Sequence, residues 1–298
     1  NDVIQQMAGS NNRMVNEASP IVDTRLADGS RVNIVLSPIS IDGAAVSIRK
    51  FPQTPILMED LIRIESITEE AAAFLKVLVM AGYNIFISGG TGSGKTTFLN
   101  ALSQYIPREE RIITIEDSAE LRLVDKPNLV RLETRNQMFE GVKPITIRDL
   151  IRTALRMRPE RIVVGECRGE EALDMLQAMN TGHDGSLSTG HANSDRDMLL
   201  RLETMMAMGE KVDFSVIQRQ IVTGLDILIH LGRMRDRTRK VLQISELCGI
   251  KNGEIYLNTL YRFQETGVKG EKVHGIWKKE SSLQKRQKLE EKGLAYSG

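Results

Sequence analysis

A glycine-rich segment, ISGGTGSGKTTFLN at residues 87–100, contains the residue types that bind a phosphate chain. Residues 89–96 match G-x-x-x-x-G-K-[ST], after an apolar run typical of a strand and before a helical pattern. Glycines let successive backbone N–H groups turn towards phosphate oxygens, and the next helix adds the positive end of its dipole. Lys95 is expected to contact the β and γ phosphates, and the Thr96 hydroxyl to ligate Mg²⁺. The segment therefore predicts a nucleotide-binding site with Mg²⁺. The predicted nucleotide-binding residues are Gly89, Gly90, Thr91, Gly92, Ser93, Gly94, Lys95, Thr96 and Thr97.

Two other apolar runs end in carboxylates, the groups that nucleotide hydrolysis requires. The run RIVVG is followed by Glu166, which we expect to polarise the attacking water or to hold Mg²⁺ through a water. The run IITI is followed by Glu116 and Asp117, and Glu116 is expected to face the same site because parallel strands end at one edge. An ordinary solvated strand end or loop is the alternative for both glutamates.

Two histidines flank a third short apolar run, in NTGHDGSLSTGHANS. His191 comes directly after the predicted strand, where it could hydrogen-bond a γ-phosphate and report its loss. A lone histidine is more often packed or exposed than functional, but His183 and His191 each follow Thr-Gly, which favours a function. Metal ligation is the weaker alternative because no third ligand is evident.

The composition limits the class of protein. The chain has 298 residues, with 41% hydrophobic and 27% charged residues, as in ordinary globular proteins. The 40 basic residues nearly balance the 39 acidic ones, which argues against bulk nucleic-acid binding but leaves a local basic patch possible. Cys167 and Cys248 lack CxxC spacing, so neither zinc nor a disulfide is expected. Without a membrane-spanning run or signal peptide, a cytoplasmic protein that can dock on a membrane is expected.

The N-terminal pattern predicts a small α+β domain over residues 1–51. Short alternating runs and the Asp28-Gly29 pair indicate antiparallel strands. The chain begins with Asn1, so we expect this domain to be partial. Two prolines then mark a linker over residues 52–60.

Residues 61–263 alternate apolar runs with helical patterns, which predicts an α/β domain with a mostly parallel sheet covered on both faces. Thr146 and Asp149 have capping-box spacing at the start of one helix. Asn252-Gly253 predicts a terminal hairpin, and residues 264–298 are expected to form a polar, solvated tail. Helices are predicted at 68–81, 95–105, 146–157, 169–180 and from near Ser194, and strands at 84–88, 111–116, 161–165, 185–189 and 225–230.

Four segments carry a family resemblance, in this order: GGTGSGKTT, TIEDSAEL, VVGECRGEEALDMLQAMNTGHDGS and STGHANS. They resemble the Walker A motif, acidic box, atypical Walker B motif and His box of the type II/type IV secretion ATPases. PIVDTRLADGSRVN, SIRKF and LRMRPERIVVGE are similar to the CpaF-like ATPases of Tad (Flp) pilus assembly. The resemblance runs from about Ser19 to Phe263. It implies a RecA-like motor domain, a PAS-like N-terminal domain, and a homo-hexamer on the cytoplasmic face of an inner-membrane platform.

The resemblance also implies roles for individual residues. Lys95 and Thr96 match the phosphate and Mg²⁺ residues, Glu166 the catalytic glutamate and Glu116 the acidic-box carboxylate. His183 and His191 match the His box.

The same resemblance implies roles for four arginines. Arg152 and Arg156 lie four residues apart on a predicted helix and resemble arginine fingers that act on a neighbour's γ-phosphate. A basic, solvated helix face is the alternative. Arg31 and Arg49 resemble the family's nucleotide-facing arginines. The tetracysteine zinc spacing of some relatives is absent from the sequence.

The sequence thus favours a hexameric ATP-hydrolysing motor for pilus assembly or secretion. Two alternatives stay open: a RecA-like nucleic-acid motor such as a helicase or conjugation-associated ATPase, and a nucleotide-gated switch that hydrolyses ATP slowly.

Overall fold

The computed structural model of the protein describes residues 2–9, 14–50, 54–135, 143–209 and 213–295. The chain divides into two compact units, with the N-terminal unit extending through Thr54 and the larger unit beginning at Pro55. No helix among these residues is long and apolar enough to cross a membrane.

The N-terminal unit contains a helix, α1 (Asp2–Gly9), and the antiparallel sheet β1 (Ile21–Arg25), β2 (Arg31–Val35) and β3 (Ala45–Arg49). The predicted hairpin is confirmed at Gly29, whose φ of 87° is in the left-handed region that favours glycine. The small core of the N-terminal unit contains Ala8, Val15, Val32 and Ile34. The predicted α+β class therefore holds for this unit.

The larger unit contains a nine-stranded sheet in the order β12-β11-β10-β9-β4-β8-β7-β5-β6. From β9 to β6 every pair is parallel, whereas β9 to β12 pair antiparallel, so the predicted mostly parallel sheet is confirmed. The strands are β4 (Ile85–Gly89), β5 (Ile112–Glu116), β6 (Leu129–Glu133), β7 (Arg161–Val164), β8 (Leu187–His191), β9 (Ile227–Arg233), β10 (Arg239–Lys251), β11 (Glu254–Lys269) and β12 (Lys272–Lys279).

Helices cover both faces of this sheet because successive strand residues point to opposite sides. The helices are α2 (Met58–Arg63), α3 (Glu69–Ala81), α4 (Lys95–Ser103), α5 (Ile147–Ala154), α6 (Glu171–Asn180), α7 (Asp195–Gly209), α8 (Phe214–Gly224) and α9 (Gln287–Glu291). Ile85 and Ile87 enter one core with α3 and α4, whereas Phe86 enters a second core with α5 to α8.

Several boundaries differ from the prediction. The capping box of Thr146 and Asp149 is confirmed, but α5 ends at Ala154 and continues as a 3₁₀ turn, Leu155–Met157. Arg158 then adopts a φ of 55°, and Pro159 prevents further helix. Helix α2 begins inside the predicted linker, of which residues 52 and 53 lie outside the described part of the chain. Strand β6 and helix α8 lie in segments for which the sequence pattern predicts no element.

The expectation of a solvated tail over residues 264–298 is wrong. Strand β11 continues to Lys269, β12 follows, and Leu283 and Leu289 pack into the main core. The wholly buried Glu246 on β10 accepts hydrogen bonds from the backbone N–H groups of Gln284 at 2.9 Å and Lys285 at 2.6 Å. This buried carboxylate fixes the end of a segment whose polar composition suggested no structure.

Candidate active site

The glycine-rich loop joins the end of β4 to the start of α4. At Gly89, a Cβ atom would lie 2.5 Å from the Leu231 carbonyl oxygen of the adjacent strand β9, so a side chain does not fit. Gly94 has a φ of 96°, a conformation that glycine adopts without strain. The loop conformation thus depends on these glycines, as the motif predicted.

Lys95 is the first residue of α4 and is buried within the loop. Its Nζ donates hydrogen bonds to the carbonyl oxygens of Gly89 at 3.0 Å and Gly90 at 3.1 Å. Burial lowers the pKa of Lys95, and the nearby Glu166 opposes that shift. Thr96 and Thr97 occupy the first turn of α4 and are half-buried, whereas Thr91 is exposed on the loop. The loop therefore holds a cation where the motif places a phosphate chain.

His191 connects this lysine to the predicted base. It ends β8, in register with Gly89, and its Nδ1 lies 3.3 Å from Lys95 Nζ. On the other side of the ring, Nε2 lies 2.7 Å from Glu166 Oε1. Burial and the charge of Lys95 lower the pKa of His191, which favours the neutral imidazole. Lys95, His191 and Glu166 therefore form a continuous row at the carboxyl edge of the sheet.

Glu116 ends β5 at the same edge and is almost completely buried. Its Oε2 accepts hydrogen bonds from the backbone N–H groups of Glu120 at 2.7 Å and Leu121 at 3.0 Å. Burial raises the pKa of Glu116 to about 7. A Cβ atom at Gly165 would lie 3.0 Å from Glu116 Cγ. Gly165, which directly precedes Glu166, therefore leaves room for the Glu116 side chain.

The site fits a magnesium ion that is shared with phosphate. Among the buried side-chain atoms of the described residues that have no hydrogen-bond partner, three lie at this site: Ser93 Oγ, Glu116 Oε1 and Glu166 Oε1. The same part of the chain contains no group of three or more His, Cys, Asp or Glu side chains arranged to hold a metal. Because Mg²⁺ prefers oxygen ligands and keeps several waters, Thr96 and one or two carboxylates with phosphate oxygens suit it better than a protein cage.

Sequence reasoning missed Arg168, which holds the two acidic strand ends together. Its Nη2 and Nε donate to Glu166 Oε2 at 2.6 and 3.0 Å, and its Nη1 lies 3.2 Å from Asp117 Oδ2. The signal was present in GECRGEE, where a cation stands two residues after the predicted base. Arg168 leaves Oε1 of Glu166 to face His191.

The structure does not bring His183 to this row. His183 precedes β8, and its Nδ1 lies 3.3 Å from the carbonyl oxygen of Ala178 at the end of α6. The length of β8, about 13 Å, separates this amino edge of the sheet from His191.

The predicted arginines lie on α5, on the 3₁₀ turn that follows it and on two strands of the N-terminal unit. Arg152 pairs with Asp174 of α6, with Nε 2.7 Å from Oδ1. Arg156 is exposed on the 3₁₀ turn that leads towards β7. Arg31 and Arg49 are cross-strand neighbours on β2 and β3 of the N-terminal unit.

Comparison with known proteins gives a consistent result. The model of the family described as type II/IV secretion system protein matches residues 2–270. A putative conjugal transfer protein of Mycobacterium tuberculosis is 36% identical over 249 residues, covering 82% of this chain and 70% of the relative. The type IV secretion system protein PtlH of Bordetella pertussis is 36% identical over 240 residues, covering 72% and 70%. The crystal structure of the VirB11 ATPase from the Brucella suis type IV secretion system is similar with a TM-score of 0.53 and 31% identity, covering 82% and 79%.

Proposed function

Because the chain belongs to the type II/IV secretion system protein family, we propose that it is the motor of a pilus-assembly or secretion machine, closest to the Tad (Flp) type. The chain is an ATP-hydrolysing enzyme of this family, so the predicted superfamily and enzyme class are confirmed. The observation that supports the proposed mechanism best is the row of Lys95, His191 and Glu166, in which one imidazole lies between a phosphate-binding cation and a base.

In the proposed reaction, Lys95 binds the β and γ phosphates and Glu166 takes a proton from the attacking water. A neutral His191 with its proton on Nε2 fits both contacts, because Nδ1 then accepts from Lys95 while Nε2 faces Glu166. Glu116 assists, since a carboxyl with a pKa of about 7 exchanges a proton readily near neutral pH. Mg²⁺, held by Thr96 and by Glu166 through water, would neutralise phosphate charge when bound.

The proposed assembly is a homo-hexamer on the cytoplasmic face of an inner-membrane platform protein. Arg152 or Arg156 of one chain would act at the γ-phosphate of its neighbour, while Arg31 and Arg49 would face the nucleotide. ATP binding would close the N-terminal unit on the motor unit, and release would reopen it. His183, at the amino edge of the sheet, would contribute to this movement rather than touch phosphate.

Mixed rings test the proposed action between subunits. Glu166→Gln chains and chains carrying both Arg152→Ala and Arg156→Ala are each expected to be inactive. Mixed together, they should regain part of the hydrolysis rate, because some sites combine an intact Glu166 with a neighbour's intact arginines. Light scattering with a non-hydrolysable ATP analogue should give the mass of six chains. Mixed hexamers without any recovered activity would contradict this proposal.

A conjugation-associated motor is the second candidate, because the Mycobacterium tuberculosis relative is named a putative conjugal transfer protein. That role predicts that DNA stimulates hydrolysis and that the effect weakens with salt. The nearly balanced charge of the chain favours the pilus or secretion role, for which hydrolysis should not respond to DNA. Hydrolysis rates with and without single- and double-stranded DNA separate the two candidates.

A further inference from the structure

The turn between β9 and β10 brings two arginines to the phosphate-binding loop. Strand β9 runs beside β4 with Leu231 in register with Gly89, and it continues for two residues to Arg233. Strand β10 begins at Arg239, directly opposite Arg233 in the antiparallel register. The loop therefore has two neighbouring cations in addition to Lys95.

Arg239 contacts the loop directly. Its Nε donates a hydrogen bond to the Gly92 carbonyl oxygen at 2.8 Å, and its Cδ would lie 3.2 Å from a Cβ atom at Gly94. Arg233 is close to the loop, with its Nη1 4.0 Å from the position that a Cβ atom at Gly92 would take, but within the described ranges it makes no hydrogen bond to the loop. Arg239 therefore contacts the loop through a hydrogen bond, whereas Arg233 adds only its positive charge beside the loop.

Placing Arg233 directly opposite Arg239 lowers the stability of the sheet, so packing of the fold does not by itself explain their positions. Like charges directly opposite each other on antiparallel strands are destabilising. Within the described ranges, neither Arg233 nor Arg239 lies within ion-pair distance of a carboxylate, whereas Arg235 of the same turn pairs with Glu265. The turn itself is well held, since Met234 N–H bonds to the Thr238 carbonyl at 2.8 Å and Asp236 accepts from Val273 N–H at 2.7 Å.

We propose that Arg239 is a positioning residue for the phosphate-binding loop, because its bond to the Gly92 carbonyl fixes the Gly92–Ser93 peptide before nucleotide binds. A loop with four glycines in six residues loses much conformational entropy when it is ordered. Ordering it in advance reduces what nucleotide binding must overcome. The inference rests on the proposed role of this loop as the phosphate site.

The test uses the full chain with Arg239→Ala, Arg239→Lys, Arg233→Ala and Arg235→Ala. Binding of fluorescent ADP and ATP, the KM and kcat of hydrolysis, and amide hydrogen exchange of residues 87–98 are measured. Arg239→Ala should weaken the binding of both nucleotides about fivefold to tenfold, as expected for the loss of one solvent-exposed hydrogen bond. KM should rise by a similar factor with kcat within about twofold, because the bond is made equally in ground and transition states. Exchange of the loop amides should increase.

The other variants make the result specific. Arg239→Lys should recover most of the affinity, and Arg235→Ala should behave like the wild type. Arg233→Ala removes an equal charge beside the loop without removing the bond, so its loop exchange should stay at the wild-type level. Wild-type affinity in Arg239→Ala, or an affinity loss without faster loop exchange, would overturn the proposal. These outcomes test Arg239 separately from the proposed base. Glu166→Gln tests the base through the hydrolysis rate alone, whereas the Arg239 variants are judged by nucleotide affinity and loop exchange.

Discussion

Glu116 and Glu246 are both buried carboxylates in the same sheet, and their surroundings differ. Both oxygens of Glu246 accept hydrogen bonds, from the backbone of Gln284 and Lys285 and from the Asn258 amide. Glu116 uses only Oε2, and among the described residues its Oε1 has no hydrogen-bond partner. A fully bonded carboxylate stabilises the fold, whereas a half-bonded one costs stability and keeps an oxygen for chemistry.

The largest expected effect that separates the two regions is at Lys95. Lys95→Ala should reduce ATP hydrolysis on the order of a thousandfold, because the phosphate charge loses its closest cation. Urea unfolding should show a free energy of unfolding within about 1 kcal/mol of the wild type, since the hydrogen bonds lost are those to two loop carbonyls and to His191. A large loss of stability with little loss of hydrolysis would place Lys95 with the structural residues instead.

The structural carboxylate should show the opposite behaviour. Glu246→Ala should lower the free energy of unfolding by about 3 kcal/mol, because buried backbone N–H groups lose their acceptor. Hydrolysis per folded molecule should be unchanged. Glu254→Ala is the control, as Glu254 forms an exposed ion pair with Arg196 and should cost less than about 1 kcal/mol. Equal losses in the two variants would contradict the role given to Glu246.

Glu116 should respond to pH in a characteristic way. Burial raises its pKa from 4.5 to about 7, so the folded protein binds this proton more tightly than the unfolded chain. The cost of the charge is therefore fully present above about pH 7 and disappears as the pH falls through 4.5. Glu116→Gln should raise the free energy of unfolding by about 3 kcal/mol at pH 8 and by less than about 0.5 kcal/mol at pH 4.5. A gain of equal size at both pH values, measured by urea unfolding, would argue against a buried, titrating Glu116.

The smallest expected effect is on the hydrolysis rate of two histidine variants. His191 and His183 lie at opposite edges of the sheet, so the pair shows whether the edge decides the role. His191→Ala should reduce hydrolysis about tenfold to a hundredfold, because it removes the ring between Lys95 and Glu166. His183→Ala should change the steady-state rate less than about threefold, since His183 precedes β8 and lies at the opposite edge of the sheet from His191. Equal losses in the two rates would show that position at the carboxyl edge does not decide the role.

The sequence predicted the parts of the site that depend on local patterns. The loop and Glu116, Glu166 and His191 all follow apolar strands, and parallel strands end at a common edge. The same rule could have separated the histidines, because residues before and after one strand must lie at opposite edges. The shared Thr-Gly and the His-box resemblance predict His183 beside His191, but neither tells which edge of the sheet a residue occupies.

Other features depend on contacts between distant residues, which short patterns do not contain. Glu246 binds a segment 38 residues later, so the polar C-terminal residues gave no sign of a fixed structure. Arg239 reaches Gly92 across 147 residues. Strand β12 and helix α9 are likewise stabilised by tertiary packing rather than by their own propensity.

The central claim is that Glu166 activates the water that attacks ATP. Its most direct test is the hydrolysis rate of Glu166→Gln at saturating ATP, with nucleotide affinity measured on the same protein and Glu170→Gln as the control. The expected result is a rate at least about a hundredfold lower with affinity within about threefold of the wild type. An unchanged hydrolysis rate in Glu166→Gln would contradict the assignment.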